Sequence, residues 1–150
     1  MQLAIEESSM GIHEGHGGPF GCIVVKGDEV IARAHNEVLC SNDPTAHAEV
    51  VAIRKACAAL GNFQLDGCEM YCSCEPCPMC LGAIYWARPD KVYYANVAAD
   101  AAASGFDDQF IYDEINLPKA KRRIPFIALQ VPNQEIAFKR WQQLDNKHLY

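Results

Sequence analysis

Four side chains in two short runs are suited to metal-assisted hydrolysis: His47 and Glu49 in Thr45-Ala46-His47-Ala48-Glu49, and Cys77 and Cys80 in Pro76-Cys77-Pro78-Met79-Cys80. Zinc binds imidazole and thiolate in a tetrahedron, and catalytic sites use three protein ligands, leaving the fourth position to water. One histidine and two cysteines meet that count. Both runs fall at expected helix starts, where the helix N-terminus favours a thiolate. Two cysteines three apart project from one helical turn. Glu49, two residues after His47, points away from the imidazole direction, which suits it to moving protons near bound water. The alternative use of these thiols is a structural site of Cys72, Cys74, Cys77 and Cys80. Against it, Cys72 and Cys74 alternate on an expected strand and face the same side, whereas a zinc knuckle needs a turn between its cysteine pairs. Glu49 also has no use in a structural site. His13, His16, His35 and His148 lack such company and read as ordinary polar residues.

The elements that must position these groups alternate between strand and helix patterns. Residues 2–13 carry an amphipathic pattern with Leu3, Ile5 and Ile12, broken by Gly15, Gly17 and Gly18. Residues 20–26 and 29–36 flank a Gly27-Asp28 turn and predict a hairpin. Asn42-Asp43-Pro44 is turn chemistry, and a helix is expected from about Ala46 to Leu60. Residues 68–73 predict a buried strand, 77–88 a helix with proline in its first turn, and 91–96 a further strand. Residues 109–115 predict a short helix, 124–131 a last strand and 134–147 a last helix. This alternation predicts an α/β layered fold.

The chain has 150 residues, half of them apolar, which predicts one domain with a substantial core. The net charge of −6 argues against a partner with a dense phosphate backbone. It suits a small neutral or cationic substrate. The eight cysteines are clustered or scattered singly, without a disulfide framework. No basic segment followed by an apolar run opens the chain, and no stretch is long enough for a bilayer. The expected setting is the cytoplasm, with reduced thiols and no membrane partner.

His-x-Glu followed by Pro-Cys-x-x-Cys is the signature of zinc deaminases, and the chain resembles the cytidine-deaminase superfamily. The resemblance implies zinc on His47, Cys77 and Cys80, and Glu49 as the proton carrier. It implies a three-layer α/β/α fold around a central, mostly five-stranded mixed sheet. The runs GGPFG (17–21), SNDPTAHAEV (41–50), SCEPCPMCLGAIYWARP (73–89) and GFDDQFIY (105–112), with Trp141 and Tyr150, are similar to bacterial guanine deaminases. That narrower likeness implies guanine as substrate, with xanthine and ammonia as products. It also implies that Asn36 and Asp108 bind the purine, that Phe20 and Trp86 line its ring, and that Tyr150 closes the pocket. Asp108 is a candidate second proton carrier. Similar enzymes are homodimers whose C-terminal segment can lie over a neighbour's site.

These residue types suit the substrate. Guanine presents N–H and amine donors beside a carbonyl; an aspartate accepts only, and an asparagine amide also donates. Each has a plainer use: Asn36 as a strand end, Asp107-Asp108 as helix caps, Trp86 as core. The rival activities are guanosine deamination, set by pocket depth, and adenosine deamination in tRNA, which calls for basic residues. The compact basic run is Lys119–Arg123. A zinc-stabilised binding module without turnover is the rival from another class.

Overall fold

The computed structural model describes residues 1–149, so the position of Tyr150, expected to close the pocket, lies outside the described residues. The chain divides into two compact units, residues 1–109 and residues 110–150. In the first, helix α1 (Gln2–His13) leads to the hairpin β1 (Gly21–Lys26) and β2 (Glu29–His35). A single turn α2 (Val38–Ser41), helix α3 (Ala48–Leu60), strand β3 (Cys68–Cys74), helix α4 (Pro78–Ala87), strand β4 (Lys91–Asn96) and helix α5 (Ala98–Ala103) follow.

The sheet order is β2-β1-β3-β4. Strand β1 runs antiparallel to β2 and β3, while β3 and β4 are parallel. A parallel pair needs a crossover connection, and α4 supplies it. The expected mixed sheet is present, with four strands rather than five among the described residues.

Strand β1 is buried on both faces, as alternation along it shows. Cys22 and Val24 join Ala32, Ala34 and Met70 in a core closed by Val51, Ala52 and Ala56 of α3. Gly21 and Ile23 point the other way, and there α1 lies so close that a side chain at position 21 would collide with the Ala4 carbonyl. Helices therefore cover both sides of the sheet. Met70 and Leu65 are fully buried, each contributing about 1.5–3 kcal/mol by removal from water.

The second unit holds most of helix α6 (Gln109–Asn116), a 3-10 turn at Lys119–Lys121 and helix α7 (Ile136–Gln142). The strand expected at residues 124–131 does not form. Its apolar side chains stand exposed, Ile127 at 78% and Leu129 at 75%. A strand exists only through ladder partners, and Pro125 inside the segment and Pro132 after it remove backbone donors. The last helix is likewise shorter than the expected 134–147. Arg122 is committed locally: it donates to the Ile115 carbonyl at 3.0 Å and lies 5.2 Å from the Phe126 ring centre. Among the described residues, no helix is long and apolar enough to cross a membrane.

Candidate active site

Both halves of the expected metal cluster occupy helix N-terminal positions. His47 is the residue before α3, in extended conformation, and its carbonyl accepts the Val51 N–H at 3.0 Å. Cys77 holds the same place before α4, with its carbonyl accepting from Leu81 at 2.8 Å and Pro78 opening the helix. Cys80 follows in the first turn of α4 and is fully buried. The approach to His47 is built by Asp43, whose carboxylate accepts the Thr45 hydroxyl at 2.7 Å and the Thr45 N–H at 2.8 Å. These bonds hold the Asp43 carboxyl below its usual range.

Three ligand atoms converge. The His47 Nδ1 lies 3.5 Å from the Cys77 Sγ and 3.6 Å from the Cys80 Sγ. Zinc–sulfur and zinc–nitrogen bonds in a tetrahedron place those atoms about 3.6 Å apart, so the donor set and its spacing fit zinc. The electrostatics agree. The hydrogen bond from Cys80, outweighing burial, lowers the Cys77 thiol to about 4. Cys80 is pushed well up, first by that same bond and then by burial. The bond with Cys77 raises His47.

Glu49 sits in the first turn of α3, only 7% exposed. Burial pushes its carboxyl up, and its backbone N–H and the Cys80 thiol pull it partly back. A buried carboxyl whose proton affinity is raised is a competent proton carrier. Asp108 is partly buried, and its carboxyl is raised by desolvation first and then by the charge of Cys77. Asp107, its neighbour, instead accepts the Gln109 N–H at 2.9 Å and starts α6. Asp107 therefore takes the capping position at the start of α6.

Asn36 directly follows β2, buried at 4% exposure. Its side-chain oxygen accepts the Gly18 N–H at 3.3 Å and the Val38 N–H at 3.2 Å. Those two donors identify the oxygen and leave the amide NH2 to donate elsewhere. Gly17 permits this cradle, since a side chain there would strike the Asn36 oxygen. The Glu37 N–H donates to the Ala46 carbonyl at 2.9 Å, linking the end of β2 to the turn that delivers His47. Phe20 meets Phe106 edge to face, with ring centres 5.1 Å apart. Trp86 lies on α4 at 62% exposure, outside the core. Of the remaining cysteines, Cys72 faces Cys22 across the β1–β3 pair at 3.8 Å, and Cys74 donates to the Val97 carbonyl. Neither belongs to the cluster.

Several supporting residues escaped the sequence reading. The Ser73 hydroxyl accepts the Gly21 N–H at 2.9 Å, and the Asn96 amide donates to the Ser73 carbonyl at 2.7 Å. Glu75 accepts the Ala98 N–H at 3.2 Å. Together they strap the loop before Cys77 to β1, β4 and α5. Only Glu75 carried a signal, as the charged residue within Ser-Cys-Glu-Pro-Cys.

A family model described as the cytidine and deoxycytidylate deaminase zinc-binding region matches residues 1–96. The chain is 53% identical over 150 residues to a guanine deaminase of Bacillus subtilis (strain 168), covering 100% of this chain and 96% of the relative. A tRNA-specific adenosine deaminase of Aquifex aeolicus (strain VF5) is 41% identical over 118 residues, covering 78% of this chain and 76% of the relative. The X-ray structure of guanine deaminase from Bacillus subtilis superposes with a TM-score of 0.97, covering 99% of this chain and 95% of that one at 53% identity.

Proposed function

For a chain that belongs to the cytidine and deoxycytidylate deaminase family, we propose hydrolysis of guanine to xanthine and ammonia as the activity, with purine turnover as its setting. The observation that carries this reading is the dry Glu49 carboxyl beside a histidine–dithiol cluster of zinc dimensions. The full-length likeness to a guanine deaminase supports the substrate.

His47, Cys77 and Cys80 would hold a zinc ion, which would supply Lewis-acid activation of the attacking water, bringing its pKa to about 7. Glu49 accepts the proton released as water attacks the ring carbon bearing the amine. It delivers that proton to a ring nitrogen and then moves a proton to the departing amine. The carbon–nitrogen bond breaks, ammonia leaves, and the water oxygen becomes the new carbonyl. Asn36 donates its NH2 to a guanine acceptor, because its oxygen is already occupied by backbone. Asp108 accepts from guanine donors and serves as a second proton carrier. Phe20 and Trp86 line the ring. An acceptor-only carboxylate facing the ring acceptors of adenine is repelled, which supplies specificity.

The same reading includes a homodimer with an exchanged C-terminal segment. Leu81, Tyr85 and Trp86 on α4, and separately Ile124, Ile127 and Leu129, are exposed apolar groups that a second copy would cover. The need for two thiolates supports a reducing, cytoplasmic setting. Adenosine deamination in tRNA is the second reading, supported by the Aquifex relative. It is disfavoured by the net charge of −6 and by the internal commitment of Arg122.

Ammonia release from zinc-loaded protein tests this, with guanine, guanosine, adenine, cytosine and a tRNA anticodon stem-loop side by side. Turnover of guanine alone is expected. Turnover of guanosine or of the RNA would overturn the pocket and lid roles while leaving the zinc cluster and Glu49 in place.

A further inference from the structure

A second constellation of metal-binding groups lies at the junction of α1 and β2. Its residues are Glu14, His16 and His35, whose ligand atoms lie within 4.8 Å of one another. The His16 Nδ1 is 2.9 Å from the His35 Nε2 and 3.1 Å from the Glu14 Oε2, and the His35 Nε2 is 3.9 Å from that same oxygen. Tetrahedral ligation by nitrogen and oxygen at about 2.0–2.1 Å places donors roughly 3.3 Å apart, within this range. The ring centres are 5.1 Å apart while the nitrogens are far closer, so the imidazoles meet edge to edge through their nitrogens.

Three features mark this as a built arrangement. The His35 Nδ1 faces the Glu7 Oε2 at 3.1 Å, and Glu7 is buried at 4% exposure with its other oxygen accepting the Arg33 Nε–H at 2.8 Å. A carboxylate on one imidazole nitrogen fixes the tautomer and leaves the other nitrogen bare, the outer-shell pattern of metal-ligating histidines. His35 therefore presents a lone pair toward Glu14 and His16. The His16 backbone is also anchored: its N–H donates to the Gly11 carbonyl at 2.9 Å, and its carbonyl accepts from Leu39 and Cys40. Finally, His16 and Glu14 are partly exposed, at 35% and 41% of their side chains, so an ion can enter and keep a water.

We propose that Glu14, His16 and His35 form a second metal site, taking a late first-row divalent ion such as zinc, nickel or copper(II), distinct from the His47–Cys77–Cys80 cluster. Two imidazoles and one carboxylate are the donor chemistry such ions favour. The ion replaces the proton shared among the three groups and clamps the C-terminal end of α1 to the end of β2. His35 directly precedes Asn36, and His16 precedes the Gly17-Gly18 cradle around it. The clamp thus braces the two segments that hold the Asn36 oxygen.

The test uses the full-length, tag-free chain with its first site zinc-loaded. Metal per chain is measured after equilibrium dialysis against buffered zinc, for wild type, His16→Ala and Glu14→Gln. A second equivalent is expected in wild type, absent in His16→Ala and at least tenfold weaker in Glu14→Gln. Wild type should also show a second zinc-dependent rise in Tm that His16→Ala lacks. A single equivalent in wild type, or a second equivalent that survives His16→Ala, would overturn the proposal. Cobalt(II) substitution keeps the outcome readable: the thiolate-to-cobalt band of the cysteine site reports an intact fold in each variant. The metal count is independent of substrate, so failure here leaves the guanine reading standing, and failure of that reading leaves the count unaffected.

Discussion

The two clusters of ligating side chains share a histidine and a nearby carboxylate, yet they differ in how they are held. His47 and Cys77 each stand at the start of a helix, and Cys80 lies one turn in. The Glu14–His16–His35 group is drawn from a helix C-terminus, a glycine-rich loop and a strand end. Helix N-termini favour anionic ligands, so the first cluster accommodates thiolates. The second contains no thiol and depends on Glu7 to orient His35. The carboxylates differ more. Glu49 is dry and, among the described residues, pairs with no lysine or arginine, so its proton affinity is available to chemistry. Glu7 is equally buried but is tied to Arg33 and His35. Binding a metal and performing hydrolysis are thus separate achievements, and a buried carboxylate held without a cationic side chain separates them.

The sharpest way to break that comparison is Glu49→Gln. Zinc content should hold while guanine turnover falls by about 10²–10⁴-fold, the usual contribution of a general acid–base. Turnover close to wild type in a zinc-loaded variant would remove the distinction between the clusters. Cys80→Ser comes next. At zinc a thousandfold above its Kd, bound metal stabilises by about 4 kcal/mol. The variant should lose that increment, and its Tm should match that of wild type stripped with a chelator. A variant Tm that still rose with zinc as wild type does would show that the thiolate contributes little.

Asn36→Ala probes the element shared by both clusters. Loss of its NH2 should lower kcat/KM for guanine by about 1–3 kcal/mol of transition-state binding. The Gly18 and Val38 N–H groups also lose their acceptor, so Tm should fall as well. Unchanged kcat/KM would exclude Asn36 from substrate binding. The smallest effect concerns the turn that delivers His47. The Asp43 carboxyl is depressed mainly by the Thr45 hydroxyl. Its contribution is therefore present above the ordinary carboxylate range and is lost as pH falls through the lower, folded-state value. Thr45→Val should move the Asp43 titration, followed by NMR, back up toward 3.8 and flatten that acid-side loss. A titration left in place would assign the depression to other partners.

The legibility of the two clusters follows from their sequence spacing. The three proposed zinc ligands and Glu49 lie in two local runs, and local runs survive translation into helix starts. Asp108 was marked by its segment, but its separation from Asp107 was visible only once Gln109 took one of the two carboxylates. His16 and His35 read as ordinary polar residues because nothing near them in the chain announces a ligand. Their convergence with Glu14 depends on β2 returning past the end of α1. The segment at 124–131 is the converse case: its composition resembles a strand as much as that of β1 does, yet β1 has a ladder partner on each side and 124–131 has none.

By itself the sequence determined the α/β alternation of residues 2–96 and singled out the proposed zinc ligands and proton carrier, because helix caps, strand periodicity and ligand spacing are short-range properties. Tertiary structure alone decided the number of strands, which end of the Asn36 amide faces outward, and the grouping of Glu7, Glu14, His16 and His35. Each of these depends on which distant backbone or side-chain groups meet, and hydrogen-bond partners brought together by folding are not encoded in local spacing.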